Sequence, residues 1–143
     1  MIQQIQKNDK LVDILLILTL CGIVVVYAVN AVDFSVPPFE DAAMLMRYSK
    51  HLSEGYGIVW NIGENPVDGA TDFLFMVSVA GLSYLGLSLE TGVRALGFIS
   101  HLFTVILVYY GSRDLFKSQK FFSWLSAAFL ALGPGLRLSL IHI

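Results

Sequence analysis

The chain has 143 residues, 56% of them hydrophobic and 14% charged, with a formal net charge of −2. Soluble domains carry about 25% charged residues and nucleic-acid-binding domains a basic footprint, so composition points away from both. A mean hydropathy of +0.71, concentrated in long apolar runs, makes the bilayer the expected solvent. The single cysteine, Cys21, sits inside one of those runs, which leaves neither a disulfide frame nor a cysteine metal-ligand spacing.

The first ten residues, MIQQIQKNDK, are polar and carry Lys7 and Lys10. Leu11 to Val32 is apolar apart from Asp13, Thr19 and Asn30, long enough to cross about 30 Å of hydrocarbon. Asn30-Ala31-Val32 is a poor cleavage site for a signal peptide. A retained transmembrane helix over about 11–32 is therefore expected, with its N-terminus in the cytoplasm because lysines precede it and acids follow.

From Asp33 to Asp72 the chain carries seven acids against Arg47 and Lys50. Pro37-Pro38 forces an extended entry and stops any helix continuing from the first span. Residues 40–54 then read as a helix. At about 100° per residue, Tyr48, Leu52, Leu45, Ala42 and Met46 share one side, and Glu40, Arg47, His51, Lys50 and Glu54 the other. Tied to a span, such an amphipathic helix is expected to lie along the membrane interface. Gly55 and Gly57 end it, and Asn61 to Asp72 is turn-rich, with Gly63, Pro66 and Gly69.

Residues 73–89 are apolar but barely long enough to span. If they crossed, Arg113, Lys117 and Lys120 would face outward, against the positive-inside bias. If they lie in the outer leaflet, a span over about 95–111 runs inward and the basic loop 112–120 is cytoplasmic. The second arrangement is preferred, with a last span over about 121–136. The final RLSLIHI resembles a translated sequencing adapter, so an N-terminal, truncated piece of a longer chain is expected. The expected fold class is all-α: a multi-pass helical protein of the plasma membrane, the inner membrane of a bacterium.

The residues that suggest chemistry fall in the outer loop. Glu40-Asp41 either caps the helix and complements its dipole, or holds a carboxylate at the lipid–water boundary. There it would take a proton from an attacking hydroxyl or help bind a divalent cation. Asp41 is expected to project toward the apolar side near Tyr48, where water is partly excluded. Arg47, Lys50 and His51 read either as a solvated face or as ligands for the phosphate of a lipid carrier, Arg being suited to bidentate contact. Tyr56 and Trp60 read as interface anchors or as stacking platforms for a sugar ring. Asp68 and Asp72 read as turn and cap residues, Arg94 as a headgroup anchor. No Ser/His/Asp triad, P-loop or dinucleotide fingerprint is present.

The segment FEDAAMLMRYSKHLSEGYGIVWNIGENPVDGATDFLF, Phe39 to Phe75, resembles the first outer loop of polytopic GT-C glycosyltransferases that use polyprenyl-phosphate sugars. The nearest type is the bacterial arabinofuranosyl- and mannosyltransferase-like group. Its members read roughly D-D-A-F-x-x-x-R-Y-A-x-N-L-x-x-G-x-G-x-V-x-N-x-G-E-x-V-E-G-x-T-x-x-L. In step with that pattern are Glu40, Asp41, Ala42, Arg47, Tyr48, Leu52, Gly55, Gly57, Val59, Asn61, Gly63 and Glu64 and, after one extra residue, Val67, Gly69, Thr71 and Leu74. Two departures keep charge but alter reach: Glu40 stands where the group has Asp, and Asp68 where it has Glu. Outside this segment the chain matches only in hydrophobic layout.

The resemblance implies an outer loop of two helices lying along the membrane, and a catalytic acid carried to Asp41 first and Glu40 second. It also implies sugar transfer from a polyprenyl-phosphate donor to a hydroxyl of a cell-envelope glycan, lipid or protein on the outer side. Arg47 or a divalent cation, Mg or Mn, would stabilise the leaving phosphate. The missing downstream helices would leave this fragment inactive alone. The rival expectation is a non-enzymatic membrane protein, a transporter or assembly subunit. Such a protein is expected to place ionisable or helix-breaking residues within its spans; apart from Asp13, near an end, this reading finds none in them, which counts against the rival.

Overall fold

A computed structural model describes residues 2–31, 40–67, 72–115 and 119–133, and the side chains of 2–8, Ala31 and Glu40 are not among those described. The Pro37-Pro38 entry, the Asp68 turn, Lys117 and the tail beyond Gly133 therefore lie outside them. Among the described residues the chain is all-α, with five helices and no strand.

Helix α1, Ile2–Ala31, begins well before the apolar run because Gln, Lys and Ile propagate a helix readily and no breaker intervenes. α2, Glu40–Ser53, follows the proline pair, and α3 covers Phe73–Tyr84. Both stop through the same device. Gly55 (φ 86°) and Gly86 (φ 99°) take the left-handed conformation. In each, the next two amides turn back onto the last turn: Gly55 N to Leu52 O (3.1 Å) and Tyr56 N to His51 O (2.9 Å), Gly86 N to Ser83 O (2.9 Å) and Leu87 N to Leu82 O (3.1 Å). This is the Schellman arrangement, which satisfies carbonyls that a helix end leaves open. Residues 73–89 are thus not one helix; α3 ends at Tyr84.

α4 runs over Leu89–Leu115, longer at both ends than the expected span. Ser88 starts it, its Oγ accepting the Thr91 amide at 3.2 Å, with Glu90 favourably placed in the positive first turn. α5 covers Lys120–Ala131. Asp9–Asn30 and Leu89–Leu115 are long and apolar enough to cross a membrane, whereas α3 and α5 are shorter apolar helices.

The chain divides into two compact units, and α4 is shared between them. Unit 1 comprises α1, α4 from Ser100 onward and α5. Its interior is Leu20, Val24 and Ala28 from α1 and Val105 and Tyr109 from α4, both sets spaced by one helical turn, with Ala127, Ala128 and Ala131 from α5. Outward stand Leu11, Leu18, Val26, Val29, Phe103, Leu107, Phe121 and Phe129, all exposed. A surface this apolar suits lipid rather than water. Unit 2 is the α2–α3 pair with the 54–67 segment and the start of α4. Its interior is Ala42, Leu45, Ser49 and Val59 with Met76, Val79, Ala80 and Val93. α3 is apolar all round, burying Met76, Val79 and Ala80 and exposing Phe73, Leu74, Tyr84 and Leu85.

Candidate functional site

The expected site lies in unit 2, and α2 carries most of it. Asp41 stands in its first turn and is exposed, so the expectation that it projects into a partly water-free side is corrected. The seam with α3 runs along Ala42, Leu45 and Ser49, about 40–100° around the helix from Asp41. Asp41 makes no hydrogen bond or ion pair among the described residues and lies about 9 Å along the axis from Arg47.

Arg47 is the organiser of the loop that follows. Its Nε donates to the Trp60 carbonyl and its Nη2 to Asn61 Oδ1, each at 2.8 Å. Its guanidinium carbon stands 4.4 Å from the Trp60 ring centroid, a cation–π distance. Asn61 passes the link on, its Nδ2 donating to Glu64 Oε1 at 2.9 Å. Tyr48 flanks the same indole, ring centroids 5.6 Å apart, and Val67 N closes the loop onto Ile58 O at 3.0 Å. The planar fork makes two bonds at fixed angles while stacking on a ring, which a lysine cannot do. Nε and Nη2 are committed to the loop. Nη1 has no hydrogen-bond partner among the described residues.

His51 was placed on the polar side, and the structure buries it: it is 8% exposed. It lies opposite the α3 seam, where the loop folds over α2. Its Nδ1 is 2.8 Å from the Val59 carbonyl; a carbonyl only accepts, so Nδ1 carries a proton there. Tyr56 meets its ring edge-on at 6.4 Å. Lys50 remains exposed and pairs with Glu54 at 3.9 Å one turn on, a surface contact of small energetic weight. Of the expected binding residues, the structure joins Arg47 to Trp60 and His51 to Tyr56. It does not join either pair to Asp41 or Lys50.

No family model, curated protein or solved structure matches the chain.

Hydropathy alone gave no sign of Ser49. It is fully buried, and its Oγ donates toward Leu45 O and Met76 O, both at 2.9 Å. A small hydroxyl at the helix crossing lets α2 and α3 approach closely while satisfying its own polarity. Asn61 and Glu64 were also unassigned, although both are in step with the GT-C pattern. On α1, Asp13 is not a lone acid but the centre of an ionic cluster. His101 on α4 was passed over; it is 8% exposed, with a buried Nε2 that has no hydrogen-bond partner among the described residues.

No three His, Cys, Asp or Glu side chains among the described residues converge to hold a metal ion. The donor set for an expected Mg or Mn is therefore not assembled by them.

Arg47→Lys is expected to loosen the loop by about 1–2 kcal/mol, the worth of one charge-assisted hydrogen bond and a stacking contact. Amide exchange at Asn61–Glu64 should accelerate by about tenfold or more, with exchange at the α2–α3 seam little changed.

Proposed function

We propose that the chain is the N-terminal part of an integral-membrane glycosyltransferase of the GT-C kind. It would move a sugar from a polyprenyl-phosphate donor to a hydroxyl of a cell-envelope acceptor on the outer side of the membrane. The observation that carries the reading is the coincidence of the motif with a built frame. Arg47, Asn61 and Glu64, all in step with the GT-C pattern, form one hydrogen-bonded chain behind the helix whose first turn carries exposed Asp41.

Chemically, Asp41 would take the acceptor's proton as its oxygen attacks the anomeric carbon. The bond from that carbon to the lipid phosphate breaks, and the phosphate oxygen keeps the electron pair. Arg47, held by Trp60 and Asn61, would present Nη1 to the charge that develops there. Trp60 is held against Arg47 and Tyr48, whereas Tyr56 is exposed; either ring offers a face to a sugar. Multi-pass insertion in a bacterial inner membrane, N-terminus in the cytoplasm, belongs to the same proposal. It is supported by two apolar helices of spanning length. It is supported too by the meeting of α1's beginning with the ends of α4 and α5 that border the 116–118 connection.

The test is transfer from a polyprenyl-phosphate sugar by membranes holding the full-length protein and its Asp41→Asn variant. Loss of transfer in the variant supports the reading, and near wild-type rate overturns it. The alternative, a non-enzymatic transporter or assembly subunit, is favoured by ionisable residues within the spans, Asp13 and mid-helix His101. It predicts no transfer by the wild-type protein either.

A further inference from the structure

In unit 1 a cluster of charged groups lies where sugar transfer makes no use of it. Asp13 of α1 accepts the Tyr109 hydroxyl at 2.8 Å and Arg113 Nη1 at 2.7 Å, both from α4. Lys120 Nζ, at the start of α5, stands 3.2 Å from Asp13 Oδ1. The same ammonium reaches back to α1, 2.7 Å from the Asp9 carbonyl and 3.2 Å from Asp9 Oδ1. The Asp13 side chain is 13% exposed, that of Lys120 17% and that of Arg113 28%. Asp9 and Asp13 balance Arg113 and Lys120, so the cluster is neutral. Each helix holds what another lacks: α1 brings only acids, while α4 and α5 bring the cations and the phenol.

We propose that this cluster is an assembly lock: α1 reaches its final seat only when α4 and α5 supply the cations, so the three helices take one register together. Asp13 lies within the apolar stretch of α1, where an unpaired carboxylate is expensive. The charges also sit at one end of the three helices: the start of α1's apolar stretch, the end of α4 and the beginning of α5. Only an antiparallel pairing of α1 with α4 brings Asp13 to Arg113. A slip by one turn, about 5.4 Å, would break every bond named above. Toward the other end of α1 the lining changes character. There Gly22, Ile23, Val26, Tyr27 and Leu132, with Thr19 and Asn30, border a largely apolar groove of about 550 Å³ that holds no charged side chain. Between the cluster and the groove, Trp124 Nε1 donates to Thr19 Oγ1 at 2.9 Å, giving a local reporter of the seat. The lock does not depend on the sugar-transfer reading.

The test uses the full-length protein in its native membrane, with Cys21→Ala and the reporter pair Thr19→Cys/Trp124→Cys joined by a short bismaleimide. Efficient cross-linking is expected when Asp13 is intact. D13R sets a third cation against Arg113 and Lys120, and cross-linking should fall by about tenfold or more, since leaving buried charge uncompensated is strongly destabilising. The double variant D13R/R113D restores neutrality and should recover most of the yield. If D13R does not accumulate in the membrane, the amount of inserted protein replaces cross-linking as the readout, and the swap should again restore it. Cross-linking undiminished by D13R, or a swap no better than D13R alone, overturns the lock.

Discussion

Asp41→Asn in the full-length protein is expected to lower sugar transfer by about 10²–10⁴-fold, the usual contribution of a positioned general base. Asparagine keeps the shape of the side chain but cannot take the acceptor's proton. The loss should fall on kcat rather than KM, because the proton moves only in the transition state. Stability should not confound the result. Asp41 is exposed and has no bonded partner among the described residues, and surface changes of this kind stay within about 0.5 kcal/mol. An unchanged melting curve beside a collapsed rate would identify chemistry. Glu40→Gln is the companion measurement: if it alone removes transfer, the base is the neighbouring acid and the role of Asp41 passes to it.

Ser49→Leu is expected to be the most damaging single change to the α2–α3 pair, at about 2–4 kcal/mol. Ser49 is fully exposed to protein and not at all to solvent, among buried Ala42, Leu45, Met76, Val79 and Ala80. A leucine there forces the helices apart, which costs about 1–3 kcal/mol. It also removes the bond to Met76 O, worth about 1 kcal/mol. Ser49→Ala, which keeps the close approach, should show only the smaller of these losses. Thermal unfolding in detergent measures both, and equal stability of the leucine variant would mean that the seam has slack.

The existence of the helices was legible from the apolar runs, and the end of α2 from Gly55; the end of α3 at Tyr84 was not, because the apolar run continues past Gly86 to Leu89. Burial around α2 was not. Angular reasoning counts hydropathy around one helix, and α2 is covered on two opposite sides for different reasons. α3 covers the Ala42–Ser49 line because small residues permit close contact. The 54–67 segment covers His51, a polar residue, because Val59 offers it a carbonyl. Periodicity sees the first side imperfectly and the second not at all. Asp13 was legible as a residue and illegible as a cluster: its partners Tyr109 and Arg113 are 96 and 100 positions away. Pairing across that distance is decided by which helix ends meet, a property of the fold rather than of local pattern.

The length of α4 has a consequence of its own. Its 27 residues make a rod of about 40 Å, against a hydrocarbon layer of about 30 Å. Were α4 to cross a bilayer upright, counting about 20 residues back from Arg113 would reach Val93, so the opening turn with Glu90 would project among lipid headgroups. Hydrophobic mismatch then becomes a lever on this helix. In a helix so placed, a bilayer of long-chain lipids would draw Glu90 and its partner Arg94 toward the acyl region, and one of short-chain lipids would make α4 lean.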